Sequence, residues 1–322
     1  MTTASLKNFI SLLLFAIAFI NESKAAATAN IPEFEEVSLE PRRFYGLVQD
    51  SEANKSALRT LLGTTHIDVN PQAAMAAISL PASVDLRSGF PDPFDQGKLG
   101  SCTGQALVSA VLFDLKKQGQ QKPDMRSVLY LYWQERKMEG RIGDTGATLT
   151  SGIKVLHTIG VCKESLWPYN ISTYANTPTA AMDADAATCK DTDLNPMLTD
   201  SLAPNITLIK ETLYQQCPIV GGIPIFESFE SLVVRLSGKV PMPQPNEKRM
   251  GNHAVVFAGY DDSKNAFLMR NSWGSSWGEG GYFWLPYDYV PSYAFDLWRV
   301  NGTSLPPLDP NPPAPKKCCI IL

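Results

Sequence analysis

Cys102 is the residue whose surroundings point most directly to covalent chemistry. It stands at the start of a predicted helix, directly after the turn-rich residues 97–101. The N-terminus of a helix carries partial positive charge, which favours the thiolate, the nucleophilic form of cysteine. The other cysteines are Cys162, Cys189, Cys217, Cys318 and Cys319. None of them belongs to a CxxC pair or has the spacing of a zinc site. The sequence therefore predicts a reactive thiol at position 102 and no metal site.

A thiol nucleophile needs a base, and the chain has three histidines: His66, His157 and His253. His66 precedes the main domain, and His157 lies on an amphipathic stretch where a surface or satisfied helical histidine is the simpler interpretation. His253 opens a predicted strand after a Gly-Asn pair. By elimination it is the candidate general base.

Asn271 is the candidate orienting partner of that base. Two β-rich runs flank the polar loop 261–265, a pattern typical of a hairpin. A loop symmetric about Ser263 places Val255 opposite Asn271, which makes His253 and Asn271 diagonal neighbours on one face. Diagonal neighbours lie roughly 7–8 Å apart at the backbone, within reach of their side chains. Unless a bulge shifts this register, the asparagine amide can hold the imidazole in one tautomer.

Gln96, in the loop before Cys102, is the candidate oxyanion donor. Its side-chain amide and the backbone amide of Cys102 can together donate to the oxygen that becomes negative during acyl transfer. A glutamine in a loop is usually only solvated, so this role depends on the thiol and the base nearby.

The elements that must position these groups change character along the chain. A helix is predicted from Ser101, a candidate N-cap, to Gly119, with further helices near 126–138 and 150–159. Strand patterns follow, beginning with the apolar residues 218–223. Helices followed by strands indicate an α+β protein with two lobes and a cleft between them.

Composition limits the partners and the location of the protein. A formal net charge of −4 and a pI near 5.5 argue against nucleic acid, which requires a basic surface. No run of 18 apolar residues is present, so no membrane-spanning helix is expected. In an exported protein, one disulfide can form among Cys162, Cys189 and Cys217, and its pairing stays open.

Four segments are predicted along the 322 residues. Residues 1–27 combine a basic start, a short apolar run and small residues, as a secretory signal peptide does; the alternative is a buried N-terminal helix. The other segments are a pro-segment or N-terminal strap at 28–79, the main domain at 80–303 (a helical half at about 80–170 and a β-rich half at about 200–303) and a Pro-rich tail at 304–322.

Four motifs carry a resemblance to a known family: LPASVDLR at 80–87, DQGKLGSC at 95–102, GNHAV at 251–255 and RNSWGSSWGEGGY at 270–282. In type, order and separation they resemble the papain family of cysteine peptidases. The motifs GVC at 160–162 and LWPY at 166–169 extend the resemblance to the bacterial branch typified by xylellain. The resemblance implies a papain-like fold with a helical lobe, an antiparallel β-barrel-like lobe and the active-site cleft between them.

The resemblance also implies roles for individual residues. The catalytic residues would be Gln96 in the oxyanion hole, Cys102 as nucleophile, His253 as base and acid, and Asn271 as orienter. Trp273 would shield the His–Asn hydrogen bond from water. The substrate-binding residues would be Gly146, Ala147, Gly222 and Ala254 in the unprimed subsites and Trp277 at the primed side. Polypeptide substrates, a monomer and no cofactor are implied as well.

Two departures from the family motif surround the nucleophile. Leu99 stands where the motif has a cysteine, which removes a disulfide usual in eukaryotic members. Thr103 replaces a tryptophan and changes the packing behind the thiol. The long helical pro-region of the eukaryotic enzymes is not recognisable, so residues 28–79 are expected either to block the cleft in a different way or to remain attached.

The last residues fit a lipidation signal. Cys319 and the three apolar residues after it match the prenylation pattern, with Leu322 favouring geranylgeranyl and Cys318 as a second acylation site. Prenylation occurs in the eukaryotic cytosol, which conflicts with a secretory signal unless the protein is delivered into a host cell and attached to a membrane there. A flexible tail with incidental cysteines is the equally weighted alternative.

Peptide-bond hydrolysis through a thioester at Cys102 is the leading functional hypothesis. The protein would be made as a precursor. Acyl transfer or deamidation by the same triad is the second hypothesis, and a catalytically silent binding module the third. Gln96 together with an asparagine orienter favours the peptidase.

Overall fold

A computed structural model describes residues 45–62, 80–120, 122–189, 194–196 and 205–300. The predicted signal peptide at 1–27 and the tail at 304–322, with Cys318 and Cys319, lie outside these residues, as does part of the segment 28–79. None of the helices within the described ranges is both long and apolar enough to cross a membrane.

The first half of the main domain is mostly helical, as the sequence predicts. The described α-helices are α1 (Glu52–Leu62), α2 (Cys102–Lys117), α3 (Val128–Met138), α4 (Leu149–Thr158), α5 (Ala180–Ala187), α6 (Ile206–Tyr214), α7 (Leu232–Ser237) and α8 (Tyr289–Tyr293). The three helices expected near 101–119, 126–138 and 150–159 are confirmed as α2, α3 and α4.

Helix α2 is the central helix of the molecule and is buried over most of its length. It packs against α3 and α4 on one side and against the sheet on the other, so it joins the two halves. The chain leaves the helix through Gly119, whose φ of +99° favours glycine. Ser101 occupies the N-cap position as expected, but its side chain makes no capping hydrogen bond and instead lies 2.7 Å from the Tyr169 hydroxyl.

The second half is built on an antiparallel sheet. Its strands are β1 (Ser83–Asp85), β2 (Leu194–Pro196), β3 (Ile219–Phe226), β4 (Arg249–Asp261), β5 (Ala266–Arg270), β6 (Tyr282–Pro286) and β7 (Phe295–Val300). The order is β2-β7-β3-β4-β5-β6, with β1 paired to β4. The expected α+β fold is confirmed, but the barrel-like lobe needs correction: the described strands form an open sheet with β2 and β6 at its ends.

The register of β4 and β5 positions the candidate base and its candidate partner. Near the cleft, Val256 lies opposite Arg270 and Phe257 opposite Met269, as the predicted register requires. The pairing then shifts before Gly259, so that Asp261 lies opposite Ala266 at the turn. The hairpin loop is therefore one residue shorter than predicted, and the irregularity in β4 compensates for it.

Candidate active site

The Cys102 thiol lies where the helical half meets the sheet. Cys102 is the first residue of α2 and is fully buried. The backbone amides of Ala254 on β4, of Gly46 and of Thr103 lie close enough to the sulfur to favour its charged form. Because Ala254 directly follows His253, the structure brings the predicted nucleophile and the predicted base to the same place.

Burial opposes ionisation of this thiol. It raises the pKa of Cys102 to about 11, and the negative charge of Glu135 adds to the effect, while the three backbone amides act against it. The expectation that the helix N-terminus yields a thiolate is therefore wrong for this state of the molecule. Removal from water destabilises the thiolate more than the partial charge at the helix N-terminus stabilises it.

The ring of His253 is held by a hydrogen bond and by aromatic packing. Its Nε2 atom lies 2.9 Å from the Asn271 Oδ1 atom, and that oxygen also accepts the backbone N–H of Ser272 at 2.8 Å. Trp273 packs on the imidazole with ring centroids 5.1 Å apart and is 1% exposed. An acceptor at Nε2 favours the tautomer that carries a proton there and leaves Nδ1 as the basic nitrogen.

Gln96 connects the loop before Cys102 to the residues that directly follow β5, among them Asn271. It is fully buried, its Nε2 donates to the Leu99 carbonyl at 2.9 Å, and its Oε1 accepts the Ser272 hydroxyl at 2.6 Å. The backbone N–H of Gln96 also donates to the Ser272 carbonyl at 2.9 Å. Sequence reasoning missed Ser272, whose only signal was its place directly after Asn271.

The residues predicted to bind substrate lie on both sides of the thiol. Gly222 on β3 is the cross-strand neighbour of Ala254 on β4. Gly146 and Ala147 precede α4 on the helical side, and the backbone N–H and C=O of Ala147 face the cleft. We call these two residues the binding edge. Trp277 stacks on Phe229 with centroids 5.7 Å apart and is 5% exposed.

A segment near the N-terminus occupies the space between these residues. We call residues 45–62 the strap. Its Gly46 carbonyl accepts the N–H of Ala147 at 2.8 Å, and its Val48 N–H donates to the Ala147 carbonyl at 2.9 Å, so the strap pairs in parallel with the binding edge. On the other side, the Leu47 N–H donates to the Asn252 carbonyl at 3.3 Å. The strap thus crosses from one wall of the cleft to the other.

The strap fits too closely for another peptide to share the cleft. A Cβ atom on Gly46 would lie 1.7 Å from the Gly100 carbonyl oxygen, and one on Gly146 would lie 2.0 Å from the Gly46 oxygen. Leu47 is 4% exposed and fills the space above Gly222, where an added Cβ would lie 2.6 Å from its Cδ2 atom. Tyr45 covers the His253 ring at 6.2 Å between centroids.

Buried charges anchor the strap outside the cleft. Lys55 on α1 forms an ion pair with Asp296, with Nζ and Oδ1 2.6 Å apart and the carboxylate side chain fully buried. The other oxygen of Asp296 accepts the backbone N–H of Asp50 at 3.1 Å. The Asp50 carboxylate in turn accepts the hydroxyl of Thr150 at the start of α4. Both halves of the domain therefore contribute to holding the strap.

A buried carboxyl group lies behind the nucleophile. The Thr103 hydroxyl donates to Glu135 Oε2 at 2.7 Å, and both residues are fully buried. Burial raises the pKa of Glu135 to about 8, and nearby Glu139 adds to it. The tryptophan-to-threonine departure noted in the sequence thus introduces a polar contact, whose partner on α3 no sequence pattern identified.

Comparisons with known proteins agree with this geometry. The family model of the papain family cysteine proteases matches residues 80–292. The chain belongs to this family. An uncharacterized peptidase C1-like protein of Acanthamoeba polyphaga mimivirus is 34% identical over 267 residues, which cover 80% of this chain and 85% of that protein. Cysteine proteinase 3 of Entamoeba histolytica is 28% identical over 276 residues, covering 78% and 80% of the two chains.

Solved structures of papain-family proteins share the fold. The crystal structure of xylellain, a cysteine protease from Xylella fastidiosa, superposes with a TM-score of 0.67 at 32% identity and covers 81% of this chain and 96% of that one. Digestive procathepsin L 3 of Tenebrio molitor has a TM-score of 0.54 at 21% identity, with coverages of 75% and 77%. The protein is thus a papain-like cysteine peptidase, and the predicted resemblance to xylellain is confirmed.

Proposed function

We propose that the protein hydrolyses peptide bonds through a thioester at Cys102, with His253 as general base and acid. The observation that carries the proposal is the position of the Cys102 sulfur against the amide that follows His253, whose ring is held by Asn271. Among the described residues that the sequence singled out, this is the only place where a thiol, a base and an orienter come together.

The proposed reaction begins when His253 takes the proton of the Cys102 thiol. The thiolate attacks the substrate carbonyl carbon, and the oxygen that becomes negative accepts hydrogen bonds from the Cys102 backbone amide and the Gln96 side chain. The protonated imidazole then gives its proton to the leaving amine as the C–N bond breaks, which leaves a thioester. Water attacks the thioester while His253 accepts its proton, and the thiol and a carboxylic acid are released.

The protein is proposed to be made as a precursor in which the strap blocks this reaction. Support comes from the strap's pairing with the binding edge and from its contacts with Gly100 and His253. A peptide that is to reach Cys102 must first displace it. Displacement would readmit water, lower the pKa of the thiol and so release nucleophile and binding edge together.

Subsites are proposed from the same contacts. The Leu47 side chain rests against Gly222, and the Gly222 partner on β4 is Ala254, so this space suits an aliphatic substrate side chain. The binding edge would pair with the substrate backbone at that position. Trp277, stacked on Phe229, would border the primed side, and Trp273 would keep water from the His–Asn bond.

Labelling and hydrolysis together test the proposed function. The full chain is incubated with an epoxysuccinyl thiol-peptidase inhibitor, the adduct is mapped by mass, and peptide hydrolysis is measured in parallel. We expect the adduct on Cys102, and loss of hydrolysis by a factor of about 10⁴ or more in Cys102→Ser. Cys162→Ser, which alters another fully buried cysteine, is the matched control and keeps activity.

Other results would redirect the proposal. Label on another cysteine, or none after the strap is removed by processing, would contradict it. Transfer of the acyl group to an added amine in preference to water would favour the acyltransferase. Binding of peptides with no turnover would favour the silent module.

Export and membrane attachment are also proposed, on the sequence of the two ends alone. Residues 1–27 support secretion, and Cys318 and Cys319 support lipidation after delivery into a host cell. Mass analysis of the tail after expression in a eukaryotic cell tests the second part, and an unmodified Cys319 would end it. Sedimentation of the full chain tests the proposed monomer.

A further inference from the structure

Asp144 connects two loops that flank the cleft. Its carboxylate accepts the backbone N–H of Gly100 at both oxygens, at 3.0 Å to Oδ1 and 3.1 Å to Oδ2. Gly100 lies just before the nucleophile, and a Cβ atom on it would lie 2.9 Å from Asp144 Oδ1. Glycine at position 100 therefore leaves room for the carboxylate to approach the loop.

Tyr132 extends this connection to the binding edge. Its hydroxyl donates to Asp144 Oδ1 at 2.5 Å, and the Tyr132 hydroxyl oxygen itself accepts the backbone N–H of Gly146 at 3.1 Å. Tyr132 is fully buried on α3. Burial and the neighbouring carboxylate raise the pKa of the phenol, so the hydroxyl keeps its proton and remains a donor.

Arg136, one turn further along α3, holds the same loop. Its guanidinium stacks over the Tyr132 ring at 4.4 Å and donates to the Gly143 carbonyl at 2.7 Å. A second donation, at 2.8 Å, goes to the Tyr174 carbonyl. The guanidinium thus packs on one face of the tyrosine ring, whose hydroxyl lies between the carboxylate and the binding edge.

We propose that Asp144, acting through Tyr132, is a positioning residue that sets the binding edge at Gly146 and Ala147 relative to the loop carrying Cys102. Leu99 stands in that loop where the family motif has a cysteine, so no disulfide starts there and hydrogen bonds make the connection. The consequence is specific: Asp144 raises kcat/KM for substrates that reach the binding edge and does not raise it for shorter ones. The inference rests on the proposed roles of Cys102 and the edge.

Two substrates separate positioning from folding. One is a peptide amide or ester with a residue that reaches the binding edge, and the other is the same compound without that residue. Assays start from the full chain, and competent sites are counted by titration of Cys102. The gain is the ratio of kcat/KM between the long and the short substrate.

In Asp144→Ala and in Tyr132→Phe this ratio is expected to fall about tenfold, because each substitution breaks the connection. The kcat/KM for the short substrate is expected to stay within about twofold of the wild-type value. Asp144→Asn keeps an acceptor and is expected to restore most of the gain. Tyr130→Phe is the matched control: Tyr130 is a buried tyrosine on the same helix that also donates to an aspartate, Asp183 at 2.7 Å, away from the edge.

The outcomes are distinguishable. If Asp144→Ala does not fold, the test uses Tyr132→Phe alone, because that substitution removes a single oxygen. A full gain in both variants, or equal losses on both substrates, overturns the inference, since equal losses indicate a role in folding alone. No hydrolysis by the wild type once the strap has been removed by processing, or none that depends on Cys102, contradicts the proposed function instead.

Discussion

The two walls of the cleft hold their reacting groups by different means. On the helical wall the residues around Cys102 are tied by polar pairs: Gly100–Asp144, Ser101–Tyr169 and Thr103–Glu135. On the sheet wall His253 lies among aromatic rings, with Trp273 at 5.1 Å and Tyr45 at 6.2 Å, and its Nε2 atom is hydrogen-bonded to Asn271. Hydrogen bonds orient, whereas rings position by shape and exclude water.

This difference indicates where each wall is vulnerable. On the helical wall several polar contacts share the positioning, so the loss of one is expected to cost stability or a modest part of the rate. On the sheet wall the hydrogen bond to Asn271 favours one tautomer of the proposed base, so its loss is expected to affect the chemical step directly. The following predictions test that asymmetry.

The largest effect is expected from Asn271→Ala. Without the Oδ1 acceptor the imidazole loses the hydrogen bond that orients it through Nε2, and kcat should fall by about a hundredfold or more with a smaller change in KM. Steady-state kinetics, normalised to titrated sites, measures this, with the exposed Asn176→Ala as control. A variant that keeps more than about a tenth of the wild-type kcat would break the comparison.

The next effect concerns the strap, which touches both walls. Lys55→Met leaves the buried Asp296 without its cation, so the strap should open more often and the uncut chain should react about tenfold faster with iodoacetamide at Cys102. Exposed Lys239→Met serves as the control. An unchanged labelling rate would mean that the ion pair does not hold the strap closed.

Glu135→Gln tests the buried carboxyl of the helical wall through pH. The pKa of Glu135 is raised to about 8 in the folded protein, above its ordinary 4.5. The folded state therefore holds the proton more tightly, and wild-type stability should fall as pH rises from about 5 to 8. The glutamine has no proton to lose, so denaturant unfolding across this range should show a flatter profile. Parallel profiles would refute the assignment.

The smallest effect is expected from Thr103→Val, which removes the hydroxyl that donates to Glu135. The free energy of unfolding should fall by about 1–3 kcal/mol, because one buried carboxyl oxygen loses its partner. Activity per folded molecule should change little. Thr158→Val, at a half-buried helical hydroxyl, is the control. A loss of rate as large as that of Asn271→Ala would remove the distinction between the walls.

The hairpin shows how far local patterns reach. The predicted pairing near the cleft agrees with Val256 opposite Arg270, although the predicted loop was too long. The observed turn is one residue shorter, so one more residue belongs to the strands. The register shift before Gly259 accommodates this extra residue. Turn length follows from local residues, whereas an irregularity inside a buried strand depends on what packs around it.

The nucleophile shows where local reasoning failed. The helix start at Cys102 was predictable from its flanking turn and its apolar pattern, but the charge state of the thiol was not. Burial by distant parts of the chain outweighs the helix end, and the strap's Gly46 is one of them. Ser101 likewise uses its hydroxyl on Tyr169 rather than on its own helix.

Residue type and local spacing were sufficient to single out Cys102, His253, Asn271 and Gln96 as candidates, because acyl transfer requires a nucleophile, a base, a group that orients the base and an oxyanion donor. The surroundings of those groups were decided by packing. Asp144, Glu135 and the strap come from segments far away in the chain, and a polar side chain in such a segment carries no local pattern that reveals its partner. Burial, which sets both the pKa of the thiol and access to it, exists only once those segments are assembled.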